Sequence, residues 1–329
     1  MAKKASMQRI ADELGLARSA VSRALAGKKG VSEATRRRVQ ATARRLGYDA
    51  ETGTPSPKPV QILLLVEERT TREKHFWSHV LNGLVTEVPQ HHGYLSIVLT
   101  DAHHADFKVP PLLEKAGGVD GVIAMHATDI RAVSAVKRLG LPIVLLDYVE
   151  DLPDYDTVII DDLRGIKQLV TELAGLGHRR FGYIGDLENS SFRSRYEGLL
   201  AAMAQNGILD GSPPQWRVPE DLPDRGIPTA LICCNDDWAL ETVDYLLAKG
   251  VKVPEEVSVT GFDDSITEER RCRIPLTTLR VDREELGRWA VRTLFQRLWN
   301  PDGPRVQVAV GVELVKRASH AGPTPGTPG

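Results

Sequence analysis

From Val60 onward, short apolar runs alternate with segments whose apolar residues are spaced as in helices. The predicted strands include 61–66, 94–99, 121–125, 142–147, 157–160, 181–184, 229–233 and 257–261, and the predicted helices are 75–91, 129–139, 164–177, 192–206, 238–249 and 283–299. Alternation of this kind predicts parallel sheets with right-handed crossovers. About eleven strands in roughly 250 residues favour two doubly wound lobes over a single sheet.

The charge of the chain is distributed very unevenly. The first 48 residues hold twelve of the 42 Lys and Arg residues but only three of the 44 Asp and Glu residues. This segment therefore carries +9 and the remainder −11, although the whole chain is at −2. A basic module on an acidic body is typical of a nucleic-acid-binding protein. The alternative is a basic terminus that is simply solvated.

Three short helices are predicted in the basic segment. Ser6 is placed to cap a first helix over 7–13, and Gly15 supplies the backbone freedom for a tight turn. A second helix is predicted over 18–25, and Ser32 opens a third. Two short helices that are joined by a glycine turn and supported by a third form a helix-turn-helix.

The polar face of the second helix is the candidate DNA-binding surface. Arg18 and Arg23 carry the forked donors that bind guanine O6 and N7 in the major groove. Phosphate contacts, which position a protein without reading sequence, are expected from Ser6, Ser22, Lys28, Lys29 and Arg36. The alternative is a small helical bundle that has no role on DNA.

Polar residues in the body directly follow several predicted strands. Ligands in doubly wound folds bind beyond the carboxyl ends of the strands. Because such groups hydrogen-bond paired hydroxyls, we expect a sugar site between the two lobes, formed by Glu67, Asp147, Arg195, Asn235 and Asp263. Phe76 and Trp77 are candidates for a wall that stacks on a sugar ring or a flat base, with core packing as an equal alternative. For any one of the polar residues, a helix cap or a turn is the commoner explanation.

Residues 6–27 resemble the DNA-binding head of the lactose-repressor (LacI) family of regulators. Stretches of the body resemble the same family, above all Leu-Gly-His-Arg-Arg-Phe-Gly-Tyr-Ile-Gly at 176–185 and Val-Pro-Glu-Glu-Val-Ser-Val-Thr-Gly-Phe-Asp-Asp at 253–264. The resemblance implies a small all-α helix-turn-helix head. It also implies an α/β periplasmic-binding-protein-like core of two doubly wound lobes linked by three crossovers.

The resemblance further implies roles for particular residues and partners. The positions that would read bases are Arg18, Ser19 and Arg23. The positions that would contact a small-molecule effector are Asp147, Arg195, Asn235 and Asp263. The family pattern implies a homodimer whose two heads bind a roughly palindromic double-stranded operator DNA. A sugar is the preferred effector, with a nucleobase second.

Three features depart from the family pattern. Ala17 replaces the usual capping Ser in front of the second helix. The linker over 49–59 is Pro-rich and lacks the Leu that wedges into the minor groove from the family's hinge helix, so we expect little bending of the DNA site. Between Ile208 and Pro228 a short Pro-rich stretch stands where the family has a strand and a helix, so one side of the C-terminal lobe must be trimmed.

Four segments are predicted: a helix-turn-helix domain over 1–48, a Pro-rich linker over 49–59, a two-lobed effector-binding and dimerisation domain over 60–317 and a disordered tail over 318–329. No catalytic set, metal site or cofactor motif is recognised. The N-terminus leads into no apolar stretch and no run is long enough to span a membrane, so a cytoplasmic location is expected. The predicted function is a sequence-specific transcriptional repressor controlled by a small molecule. The alternatives are a sugar-binding receptor and an α/β enzyme.

Overall fold

The computed structural model describes residues 6–46, 48, 59–67, 74–100, 118–125, 130–148, 152–266 and 273–324. These residues form two compact units. The first contains the described residues up to Leu146 together with Leu152–Val158 and Glu284–Val308. The second contains Asp147 and Tyr148, the described residues from Ile159 to Arg283, and those from Ala309 onward. The chain enters the second unit briefly at Asp147 and Tyr148. It otherwise crosses between the two units after Val158, Arg283 and Val308, which gives the three crossovers that the family resemblance implies.

Three helices form the N-terminal part of the first unit: α1 (Met7–Leu14), α2 (Arg18–Leu25) and α3 (Glu33–Arg45). The Ser6 hydroxyl accepts a hydrogen bond from the backbone of Arg9 at 3.2 Å, which confirms the predicted cap of the first helix. Gly15 ends that helix in the left-handed region at φ +64°, where glycine is least strained. The buried side chains Ile10, Val21 and Val39 form the centre of a small core among the three helices.

The first sheet has the strand order β11-β5-β4-β3-β1-β2. Its strands are β1 (Val60–Glu67), β2 (Gly93–Thr100), β3 (Gly121–Met125), β4 (Ile143–Leu146), β5 (Asp156–Ile160) and β11 (Gln307–Val310). Strands β1 to β5 pair in parallel. The accompanying helices are α4 (Lys74–Glu87), which continues into a 3₁₀ turn over Val88–His91, α5 (Ile130–Arg138) and α9 (Arg283–Trp299).

The second sheet has the order β12-β10-β9-β8-β6-β7. Its strands are β6 (Phe181–Ile184), β7 (Gln215–Trp216), β8 (Ala230–Cys233), β9 (Ser258–Asp263), β10 (Thr277–Val281) and β12 (Val312–Val315). Only the pair of β10 with β12 is antiparallel among the described pairings of this sheet. The helices are α6 (Asp162–Gly175), α7 (Ser190–Gln205) and α8 (Asp236–Ala248). Every residue of β6, β8 and β9 is buried, because helices cover parallel sheets on both faces.

The trimmed segment between Ile208 and Pro228 contains no helix of the α type. It consists of the two-residue strand β7 and a 3₁₀ turn over Pro219–Asp221. Leu222, directly after that turn, is buried in the same apolar cluster as Val243 of α8. The short turn therefore covers part of this apolar cluster, at the place where the family pattern has a full helix.

The predicted disordered tail over 318–329 is wrong for residues 318–324, which pack on the second sheet. The fully buried Ser319 accepts a hydrogen bond from the backbone of Thr277 at 2.8 Å and donates one to the carbonyl of Val259 at 2.6 Å. His178 lies 2.7 Å from the carbonyl oxygen of Ala321. Residues 325–329 lie outside the described residues, as does the predicted linker over 49–59 apart from Pro59. In the part of the chain that the structure describes, none of the helices is long and apolar enough to cross a membrane.

Helices α4 and α9 approach each other closely through two glycines, Gly83 and Gly287. A Cβ atom added at Gly287 would overlap the carbonyl oxygen of Val80, and one at Gly83 would overlap the carbonyl oxygen of Glu284. Only glycine permits this backbone separation, since the overlapped atoms belong to the main chain and cannot move independently.

We expect Gly287→Ala to lower the free energy of unfolding by about 1–3 kcal/mol, because the added methyl forces the two helices apart. Gly175→Ala is the matched control: it lies at the exposed end of α6 with nothing within 4 Å of its added Cβ. That control should be neutral or stabilise slightly. Urea unfolding of both variants measures the effect, and equal stability of the two would contradict the close approach.

Asp236 ties the start of α8 to the loop that follows β9. Its carboxylate accepts hydrogen bonds from the hydroxyl of Thr278 and from the backbone of Ser265, the latter at 2.7 Å. Burial raises the pKa of this carboxyl to about 7 from an ordinary 3.8, against the two hydrogen bonds, which favour the charged form. Folding at a pH between these two values therefore takes up a proton at Asp236.

Because the folded state binds that proton and the unfolded state does not, Asp236 makes the free energy of unfolding fall as the pH rises through this window, by about 1.4 kcal/mol per pH unit at most. Asp236→Asn should remove this contribution. Urea unfolding at about pH 5 and about pH 7 measures it. Asp237→Asn, at the neighbouring carboxyl, is the control. If both variants change the pH dependence of the free energy of unfolding equally, that dependence does not arise from Asp236.

Candidate functional site

Helix α2 has one buried and one exposed face. Val21 and Ala24 are fully buried against the other two helices. The polar side chains on the opposite face are exposed: Arg18, Ser19, Ser22 and Arg23. Residues four apart lie above one another on a helix, so these four side chains form one continuous surface. Ala17 provides no side-chain cap at the start of α2, which agrees with its departure from the family pattern.

The turn after α2 carries the next two basic residues. Gly27 is left-handed at φ +66°, and the backbone of Lys28 donates to the carbonyl of Arg23 at 3.0 Å. Lys28 and Lys29 are exposed beyond this turn. Their ammonium groups therefore extend the cationic surface from the carboxyl end of α2.

Two of the predicted phosphate contacts also have structural roles. Arg36 donates from Nη2 to the carbonyl oxygen of Lys28 at 3.1 Å, and its Nε lies 3.7 Å from Glu33 Oε2. The guanidinium thus braces the turn after α2, which occupies part of its donor capacity. Ser6 caps α1 through its side-chain oxygen, and its hydroxyl hydrogen can still be donated to a phosphate.

A second concentration of polar groups lies inside the second unit, around Arg195 of α7. This side chain is only 4% exposed. Its Nε donates to Asp162 Oδ1 at 3.0 Å, Nη1 donates to the carbonyl oxygen of Cys234, and Nη2 lies 3.7 Å from Asp263 Oδ1. The guanidinium carbon lies 3.6 Å from the ring centroid of Phe262. The group is therefore held on its edges by acceptors and on one face by an aromatic ring.

Two of the buried carboxylates have an unusual backbone. Asp147, directly after β4, has φ +58°, and Asp263, the last residue of β9, has φ +104°. Non-glycine residues rarely adopt positive φ, and such strain is found preferentially at functional sites. Both side chains lie at the carboxyl ends of strands, where ligands bind in doubly wound folds.

Burial and neighbouring charges set the ionisation of the cluster. The pKa of Asp162 is raised to about 6: burial is the largest cause, the charge of Arg195 opposes it, and the negative charge of Asp147 adds to it. Burial alone would lower the pKa of Arg195, but Asp162 and Asp263 outweigh it and the pKa lies above its ordinary value. The guanidinium thus stays charged at any pH at which the protein is folded.

The structure places Asp263 beside Arg195 and Asp147 near Asp162, all in the second unit, and it gives Asn235 a local role. The Asn235 side-chain oxygen caps α8 by accepting from the backbone of Trp238 at 3.1 Å. This contact agrees with the alternative explanation from the sequence, in which such a residue caps a helix. The amide nitrogen of the half-buried side chain can still donate to a ligand.

Three predicted effector residues belong to the first unit. Glu67 ends β1, and its side chain lies outside the described part of the chain. Phe76 and Trp77 are buried in α4 and pack edge to face with ring centroids 4.8 Å apart. This burial agrees with the core-packing alternative for the aromatic pair.

Sequence reasoning missed two residues of the cluster, Asp162 and Ser191. Asp162 follows an apolar strand, so the signal that selected Asp147 and Asp263 could have found it. Ser191 carried no such signal. It is 4% exposed, lies one turn before Arg195 on the buried face of α7, and its hydroxyl has no hydrogen-bond partner among the described residues. A buried hydroxyl in this state is a candidate for ligand contact.

The N-terminal helices and the body of the chain each match a known protein family model. Residues 6–51 match the model of bacterial regulatory proteins of the lacI family, and residues 170–320 match the periplasmic binding protein-like domain. The transcriptional repressor PurR of Mannheimia succiniciproducens is 28% identical over 96% of this chain and 98% of its own length. The transcriptional repressor CytR of Escherichia coli is 28% identical over 96% of each chain.

A crystal structure of the lac repressor dimer bound to operator and the anti-inducer ONPF shares the fold, with a TM-score of 0.66 and 22% identity over 97% of this chain and 100% of that one. The relatives are transcriptional repressors rather than enzymes. The chain therefore carries a helix-turn-helix domain of the lacI type and a periplasmic-binding-protein-like domain, and it matches the named repressors over nearly its whole length.

Proposed function

We propose that this chain is a transcriptional repressor that binds operator DNA through α2 and whose DNA affinity is controlled by a small molecule bound at Arg195. The observation that carries the first part is the continuous polar face of α2 over its buried Val21 and Ala24. An eight-residue helix with such a face enters a major groove with its first turns against the base edges.

Within this surface we assign base reading and phosphate contact to different residues. Arg18 and Arg23 bind guanine through O6 and N7, and the short Ser19 contacts a base edge beside them. Ser6, Ser22, Lys28, Lys29 and Arg36 contact phosphates. One such helix reads few base pairs, so a homodimer with two heads on a roughly palindromic site supplies the remaining specificity.

The buried cluster of the second unit supports a small polar effector, a sugar first and a nucleobase second. Carboxylates at Asp147 and Asp263 accept hydrogen bonds from paired hydroxyls, and Arg195 and Ser191 supply donors. The structure of the lac repressor dimer with the anti-inducer ONPF bound supports control by a small molecule. A coupling free energy of about 1–3 kcal/mol between the two sites is enough for a regulatory switch.

We expect Arg23→Ala to weaken binding to the preferred operator by about 1–3 kcal/mol and to relax the choice of base at one position of each half-site. Lys28→Ala should weaken binding to all sequences alike and lower the slope of log K against log salt by about 1. Selection of binding sites from random duplexes, followed by salt titrations, measures both effects.

Arg38→Ala is the control for these variants, since it removes the same charge from an exposed position of α3 outside the predicted interface. An equal loss of base preference in Arg38→Ala and Arg23→Ala would count against reading by α2. Failure of the wild type to retain any duplex would refute the DNA-binding function itself.

We expect a thermal-shift screen of the full chain against sugars, polyols and nucleobases to give a ligand that stabilises it. At about one hundred times its Kd, a ligand adds about 2.7 kcal/mol, a shift of several degrees. Asp263→Asn should abolish that shift while the fold persists, because asparagine tolerates the positive φ of this position. Glu197→Gln, on the exposed side of α7, should keep it. If the ligand shifts the melting temperature of Asp263→Asn as much as that of the wild type, the ligand binds at a site that does not include Asp263.

A further inference from the structure

We propose that Arg36 is a positioning residue for DNA binding: it holds the turn between α2 and α3 so that Lys28 and Lys29 bind backbone phosphates together. We call residues 26–32 the lysine turn. The inference rests on the proposed function and deepens it, because it gives Arg36 an action through the two lysines in addition to its own phosphate contact. It follows from the hydrogen bonds, the backbone and the charges of the lysine turn.

Both backbone groups of Lys28 are hydrogen-bonded, one to each flanking helix. Its N–H donates to the carbonyl oxygen of Arg23, in the last turn of α2, at 3.0 Å. Its carbonyl oxygen accepts from Nη2 of Arg36, in the first turn of α3, at 3.1 Å. The backbone at Lys28 is therefore fixed between the two helices, and the side chain of Arg36 supplies the contact on the α3 side.

The residues that follow in the lysine turn are held much less. Neither Lys29 nor Gly30 makes a backbone hydrogen bond to another described residue. Gly27 and Gly30 both have positive φ, +66° and +95°, so the chain changes direction on either side of the two lysines. The next anchor is Val31, which packs against the core of the three helices. Among the described residues, the bond from Arg36 is thus the last hydrogen bond that orders the chain before Val31.

The guanidinium of Arg36 lies against this backbone. Only 22% of its side chain is exposed, whereas Lys28 and Lys29 are exposed. A Cβ atom added at Gly27 would lie 3.5 Å from Nη1, so the guanidinium is in van der Waals range of the start of the turn. Nε is buried at 3.7 Å from Glu33, which is beyond hydrogen-bond distance. Arg36 is therefore packed on the turn, and its remaining Nη hydrogens stay available for a phosphate.

The lysine turn concentrates positive charge. Lys28 and Lys29 are adjacent, and the guanidinium of Arg36 is bound to the carbonyl oxygen of the first. Like charges that are held together repel, and a polyanion relieves this repulsion. Double-stranded DNA carries one phosphate charge per about 1.7 Å of its axis, so neighbouring ammonium groups meet several phosphates. A turn that is ordered before binding also loses less conformational entropy on the DNA.

Base reading by α2 does not depend on this brace. The helix is docked by Val21 and Ala24, which are fully buried in the core of the head. Arg36 hydrogen-bonds to the turn through the backbone carbonyl of Lys28, and its ion pair is made with Glu33 of its own helix. Loss of Arg36 should therefore weaken phosphate binding by the turn and leave the preference for particular bases.

The test measures binding of the full chain to a labelled duplex of random sequence over a range of salt concentrations. Arg36→Met removes the guanidinium and keeps an unbranched side chain that favours helix. It is made in the wild type and in a background with Lys28→Ala and Lys29→Ala. Arg36→Met should weaken binding at least about threefold more in the wild type, because only there do two lysines lose their support. In the wild type it should also lower the slope of log K against log salt by more than the value of about 0.9 that one phosphate contact contributes.

Arg38→Met is the matched control, since it removes the same charge from an exposed position of α3. Its effect should be equal in the two backgrounds. The ratio of the affinities for a selected operator and for the random duplex measures base reading, and Arg36→Met should keep it within about twofold of the wild type.

An equal effect of Arg36→Met in both backgrounds would overturn the inference and leave the DNA-binding function standing, with Arg36 as one phosphate contact among others. The same dependence on background in Arg38→Met would also overturn it, because the coupling would then be a general effect of charge. Loss of the affinity ratio in Arg36→Met would show that the whole head is disturbed and would count against a role confined to the turn. If the wild type binds neither duplex, the DNA-binding function fails and this inference fails with it.

Discussion

The second unit depends on one buried cation. Arg195 connects the start of α6 through Asp162, the carboxyl end of β8 through the carbonyl of Cys234, and the carboxyl end of β9 through Asp263. Segments far apart in the chain are therefore held at one edge of the sheet by a single guanidinium. Its removal would leave carboxylates buried without compensation, a change that typically costs about 3–5 kcal/mol.

The head uses its polar side chains in the opposite way. Helix α2 spans only two turns, and the two fully buried residues Val21 and Ala24 are sufficient to dock it on α1 and α3. All of its long polar side chains are consequently left in solvent. DNA phosphates and base edges bring their own charge and hydrogen-bonding groups, so exposed arginines suit that partner. A small ligand must instead be enclosed, and enclosure requires polar groups that are already buried and oriented.

The sequence predicted most of the architecture because parallel strands are nearly continuous apolar runs. The strands over 121–125 and 181–184 and the helix over 283–299 have the predicted bounds. Strand β10 was missed because it begins with two threonines. They are buried only because their hydroxyls find partners far along the chain, in Asp236 for Thr278 and in the carbonyl of Arg317 for Thr277. Residues 318–324 were taken for a disordered tail for the same reason, since the bonds that hold Ser319 are made to distant strands.

The sequence by itself determined the helix-turn-helix, its polar recognition face and the set of polar residues that follow apolar strands, because these depend on periodicity and short-range spacing. Only the tertiary structure decided which members of that set meet. It placed Asp263 and Asp162 beside Arg195, brought Asp147 near Asp162, added Ser191 on the same helix face, and used the side-chain oxygen of Asn235 as a helix cap. The reason is physical: crossovers and core packing bring strand ends and helix starts together across tens of residues, and local spacing carries no record of which ends become neighbours.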